Sequence, residues 1–119
     1  MTKLEMIARF RQFSIDVALL INDLPKNTIN NTYCGQLIRS SSSSGANYSA
    51  SQRAKSSADF INKLKIVEEE TDESIFFLDL LNFFNPSFQN RIDKLMKEGN
   101  ELLAITVASI TTARRNNKR

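Results

Sequence analysis

The side chains in this chain that could carry chemistry are few. There is no histidine among its 119 residues, which removes imidazole acid–base catalysis, Ser–His triads and nearly all the usual zinc and non-haem iron ligand sets. The single cysteine, Cys34, excludes an internal disulfide. Without a histidine partner or a CxxC pair it reads as a small packed side chain rather than a nucleophile. The serine run Ser40–Ser44 has no base to activate it. Gly35, Gly45 and Gly99 stand too far apart for a phosphate-cradling loop. Glu69 and Glu73, or Glu70 and Glu73, could share a helix face. A carboxylate di-metal bundle, however, needs Glu-x-x-His on two helices, and the last segment offers only Asp93, Glu98 and Glu101. The chemistry expected is therefore non-enzymatic, with no catalytic residue, no metal and no cofactor.

What remains is charge. Lys and Arg number 16 against 13 acids, giving +3 and a pI near 9.2; that permits a polyanionic partner without demanding one. The charge is zoned: residues 1–57 carry +4, residues 58–84 carry −5, and residues 85–119 carry +4. Arg114, Arg115, Lys118 and Arg119 crowd the C-terminus, and Arg39, Arg53 and Lys55 could extend that surface from the second segment. Cations so grouped gain from counterion release on RNA or DNA phosphates. No aromatic-rich stacking motif accompanies them, so base-specific single-strand recognition has no support. The acidic band at Glu69, Glu70 and Glu73 reads either as a solvated face or as the counterpart of a basic face on a neighbouring helix or subunit.

The elements that must position these groups are helical. Thr2 with Glu5 forms a capping-box pattern, and Leu4, Ile7, Phe10, Phe13, Val17, Leu20/Ile21 and Leu24 recur at helical spacing until Pro25 stops them. The second segment, about 30–53, is rich in serine, a poor helix former. Its stripe of Tyr33, Leu37, Ser41, Ser44/Gly45, Tyr48 and Gln52 nevertheless keeps the period. We read it as a helix whose thin inner face, at Ser41, Ser44 and Gly45, lets a neighbouring backbone approach closely, stabilised by packing rather than propensity. The third helix starts at Ser56 or Ser57 and buries Phe60, Leu64, Val67, Thr71, Ser74/Ile75, Leu78 and Leu81. Asn85-Pro86 stops it and starts the fourth, with its stripe of Phe88, Ile92, Leu95/Met96, Gly99, Leu102/Leu103, Thr106, Ser109/Ile110 and Ala113. Helices of about 22–28 residues span about 33–42 Å each. Similar lengths and short connections predict an all-α, antiparallel up-down-up-down four-helix bundle over residues 1–113, followed by a basic tail at 114–119.

Several stretches carry a resemblance: Gln36-Leu37-Ile38-Arg39-Ser40, Ser44-x-x-Asn47-Tyr48, and Ser56-Ser57-Ala58-Asp59-Phe60-x-x-Lys63-Leu64-x-Ile66, followed by Glu69, Glu73 and Leu78. Together they resemble the four-helix bundle proteins encoded in intervening sequences of bacterial 23S ribosomal RNA genes. The resemblance runs from about Phe10 to Ala113 and is most specific over the central ~45 residues. Where many members carry an acidic residue and a glycine, Ser49-Ala50-Ser51 stands here. The resemblance implies a non-catalytic bundle that assembles into a pentameric barrel. It also implies kinship with a retroelement accessory protein that binds a reverse transcriptase and its RNA.

The expectation drawn from both lines is an oligomeric bundle, a homopentamer as the resemblance implies, that grips structured RNA such as 23S rRNA through phosphate contacts. The alternative is an adaptor for a reverse transcriptase or a ribosomal component. The longest strictly apolar run, Val17–Ile21, is far short of a membrane span, and no targeting segment is evident. A cytoplasmic location is expected.

Overall fold

The computed structural model describes residues 1–117 as four α-helices: α1 (Lys3–Asp23), α2 (Thr28–Ser51), α3 (Ser57–Phe84) and α4 (Gln89–Asn117). A single 3-10 turn over Pro86–Phe88 leads into α4. Three of the starts are written in the chain as side-chain caps, each satisfying one orphan backbone N–H. Thr2 Oγ1 accepts from the Glu5 N–H at 3.1 Å, Asn27 Oδ1 from the Asn30 N–H at 2.8 Å, and Ser56 Oγ from the Asp59 N–H at 3.1 Å.

Each helix packs on its sequence neighbours, α1 also meets α4, and the diagonal pairs do not approach. The result is an antiparallel up-down-up-down bundle measuring 51 × 21 × 21 Å. The ends of α2 and α4 and the starts of α1 and α3 therefore lie at one end of the rod.

The core follows the sequence stripes closely. Leu64, Val67, Thr71, Ser74, Leu78 and Leu81 of α3 and Ile92, Leu95, Gly99, Leu102, Thr106 and Ile110 of α4 are all buried. In α1 the stripe is shifted at its start. Leu4 is 78% exposed and Met6 is buried in its place, because the first turn rotates Met6, not Leu4, onto the line of Phe10, Phe13 and Val17. Each fully buried Leu or Phe contributes about 1.5–3 kcal/mol from apolar burial alone.

Residues 40–44 lie inside one continuous helix. Ser40, Ser41, Ser44 and Ser51 are fully buried, and their hydroxyls are satisfied locally. Ser44 Oγ donates to the Ser41 carbonyl at 2.8 Å and Ser51 Oγ to that of Tyr48 at 2.6 Å. Ser40 Oγ shares a 2.8 Å hydrogen bond with Ser74 Oγ of α3. Ser14 Oγ of α1 donates to the Ser41 carbonyl at 2.9 Å. Small side chains thus bring α2 against both neighbours, and the hydroxyls bury without an unmet polar group.

The C-terminal boundary falls later than the sequence suggests. α4 continues through Asn117, so Arg114 and Arg115 stand on its last turn, where cations complement the helix dipole. Lys118 and Arg119 lie outside the described residues.

Candidate nucleic-acid interface

The chain's basic residues divide into those matched by carboxylates and those left to solvent. Arg39 belongs to the first group: it projects from α2 to α3 and pairs with Glu70 at 2.9 Å and with Glu73. Arg9 of α1 holds Glu98 of α4 through its Nε at 3.0 Å and also reaches Glu101. The Glu98 hydrogen bond is the main reason the Arg9 guanidinium is held above its ordinary pKa. Arg91 pairs with Asp23 at 2.7 Å and Lys63 with Asp59 at 3.2 Å.

Arg53, Lys55, Arg114 and Arg115 form the second group. All are exposed, and among the described residues the ion pairs are made by other cations. Arg53 and Lys55 sit in the α2–α3 turn and Arg114 and Arg115 at the end of α4, so antiparallel packing gathers them at one end of the bundle. Between them, α3 and α4 enclose an open groove of about 640 Å³ lined by Ser57, Phe60, Ile105, Ser109, Thr112 and Asn116 among others. Arg39 lies more than three helical turns from Arg53 along α2, outside this cluster.

The turn that carries Arg53 and Lys55 is held firmly. Its backbone closes through the Arg53 N–H to the Ala50 carbonyl at 3.0 Å and the Ala54 N–H to that of Ser51 at 3.2 Å. Asp59 accepts from the Lys55 N–H at 3.2 Å, and that hydrogen bond, followed by the one from Lys63, lowers its pKa below the ordinary value. The cations are thus presented from a fixed bend rather than a loose linker.

The acidic residues singled out on α3 separate likewise. Glu70 and Glu73 make helix contacts through Arg39, which engages the carboxylates that a metal would require. Glu69 is exposed and makes no ion pair among the described residues. Ser41 and Ser44 are buried in the α2 seam, whereas Gly45 is half-buried. A Cβ on Gly45 would meet Phe10 and Ser14 at ordinary contact distances of 3.5–3.6 Å. The tighter glycine is Gly99, where an added Cβ would stand 3.0 Å from Ile75. Cys34 is buried, and burial raises its thiol pKa, as suits a packed side chain.

Sequence reasoning missed the groove, whose walls are the start of α3 and the end of α4, stretches far apart in the chain. It also missed Phe76 and Phe83, which α3 turns outward; phenylalanine spaced by seven marks one helix face but does not say whether that face is buried. Among the described residues, no helix is long and apolar enough to cross a membrane.

Square packing of four antiparallel helices, with no strand among the described residues, defines a four-helix bundle. The model of the 23S rRNA-intervening sequence protein family matches residues 2–108. The chain belongs to that family. It is also similar to the crystal structure of a protein of unknown function from the S23 ribosomal protein family of Bacteroides thetaiotaomicron. The two share 25% identity with a TM-score of 0.81, over 93% of this chain and 99% of that one. Comparison with curated proteins gives no match.

Proposed function

We propose that this protein is a non-catalytic, self-associating helical bundle of the bacterial cytoplasm that binds structured RNA, 23S rRNA being the first candidate. The observation that carries the reading is the gathering of Arg53, Lys55, Arg114 and Arg115 at one end, none of their side chains in an ion pair among the described residues. Lys118 and Arg119 follow directly in the sequence and add to the same charge. The family's name, which refers to 23S rRNA, supports the choice of polyanion. Contacts of this kind position a phosphate backbone and read little sequence. Self-association as five copies is the state implied by the resemblance.

The test is anisotropy of a labelled hairpin RNA titrated with the full chain across a salt series. Affinity should fall steeply between low and physiological salt and vary little with loop sequence. The charge-reversed variant Arg114→Glu/Arg115→Glu should bind about tenfold more weakly or worse while keeping its helicity, its melting point falling only by the modest loss of helix-dipole complementarity. Affinity flat with salt overturns the reading. A partner protein that stays bound in cell extracts after nuclease treatment favours the adaptor instead.

A further inference from the structure

α3 turns two unlike faces outward and inward. Phe76 and Phe83 are 57% and 79% exposed. They stand seven residues apart, so they share a face about 10 Å long, on the side of the helix away from Leu78. Phe76 packs edge-on against Phe77 at 5.4 Å between centroids, and Phe83 against Phe84 at 5.1 Å. Exposed Glu69, Asp72 and Asp79 accompany them. Two exposed aromatic knobs in an acidic surround are more apolar surface than a solitary rod needs.

The seam between α1 and α2 has the opposite character. Two shallow depressions lie along it. One, of about 300 Å³, is lined by Ile7, Arg11, Gly45 and Ala46 together with serines. The other, of about 220 Å³, includes Ile21, Lys26, Gly35 and Ile38. No acidic residue lines either, and a Cβ placed on Gly35 would meet nothing within 4 Å. The seam is low, open and basic where the α3 face is raised and acidic.

We propose that the outward face of α3 docks into the α1–α2 seam of a second copy of this chain. The inference rests on the self-association proposed above and names the surfaces that would produce it. Charge selects the pairing. Two α3 faces brought together would oppose Glu69, Asp72 and Asp79 to like charges, and two seams would oppose Arg11 to Arg11, whereas α3 against the seam pairs acid with base. A contact between different surfaces is head-to-tail, so it closes into a ring when the rotation permits. In such a ring every copy presents Arg53, Lys55, Arg114 and Arg115 on the same rim.

The experiment is light scattering of the full chain and two variants, each checked for helicity by circular dichroism. Phe76→Glu/Phe83→Glu spoils the knobs, and Ala46→Glu puts an acid in the seam; all three positions are exposed, so the fold should survive. The wild type should be an oligomer and each variant alone the 13.5 kDa chain. Mixing the variants should restore at least a two-chain species, because one still offers an intact seam and the other intact knobs. Variants that stay fully assembled overturn the proposed surfaces while self-association stands. Variants that dissociate but fail to recombine overturn the head-to-tail pairing. A monomeric wild type overturns both.

Discussion

The carboxamides of Asn30 and Asn85 hydrogen-bond each other in both directions, Asn30 Nδ2 to Asn85 Oδ1 at 2.8 Å and Asn85 Nδ2 to Asn30 Oδ1 at 2.9 Å. Both residues are buried. The remaining donor capacity goes to the chain: Asn30 Nδ2 reaches the Pro25 carbonyl at 2.9 Å and Asn85 Nδ2 that of Leu81 at 2.8 Å. One clasp thus ties the α1–α2 connection to the end of α3 at the end of the rod opposite the basic cluster.

Truncating either partner leaves the other amide buried and half-satisfied. Asn30→Ala and Asn85→Ala should each cost about 1–3 kcal/mol. The double variant should cost less than the two added together, by a coupling of about 0.5–3 kcal/mol. Urea unfolding of the four proteins measures this directly, and strict additivity would show that the pair does not act as a unit.

The two half-buried or buried glycines should respond differently to alanine. Gly99 leaves 3.0 Å between a new Cβ and Ile75, so Gly99→Ala must displace a packed side chain and should destabilise by about 1–3 kcal/mol. Gly45→Ala meets ordinary contacts and should stabilise by about 0.5–1 kcal/mol through helix propensity. A larger Gly45→Leu side chain again overpacks the seam, at a cost of about 1–3 kcal/mol. Thermal melts rank the three.

Arg39 should matter little to stability and less to RNA. Its side chain is 49% exposed, so its pairs with Glu70 and Glu73 should contribute about 1 kcal/mol or less, diminishing with salt. Arg39→Ala should leave hairpin affinity unchanged where Arg53→Ala lowers it, in the same anisotropy titration.

Asp59 provides a pH handle on the start of α3. Its folded pKa lies below the ordinary value, so the stability it contributes is present above the unfolded pKa of about 3.9 and is lost as pH falls through the lower folded value. Asp59→Asn should therefore melt below the wild type near neutrality, and the gap should close as the solution is acidified below about pH 4. Melting curves from neutral to acid pH check the sign.

The bundle was legible because each helix repeats its apolar residues at intervals that only a helix brings to one side, and because Thr2, Ser56 and Pro86 punctuate the starts. The α2 serines were legible as packing once Leu37 and Tyr48 held the period across them. Leu4 misled because spacing alone cannot fix the rotation of a first turn when Met6 fits the stripe equally well. The Asn30–Asn85 clasp joins residues 55 apart in sequence, and no local pattern marks it. Among the cations, spacing gave the candidates, but only the approach of Glu70 and Glu73 to Arg39 separated a structural arginine from the exposed end cluster.

Ser40 finds Ser74 only across the bundle, and the serine-rich helix around it has little tendency to coil by itself. The middle of α2 is therefore expected to become helical only once the segment bearing Ser74 is available to pack against it. On that expectation α2, second in the chain, would be a late arrival to the fold.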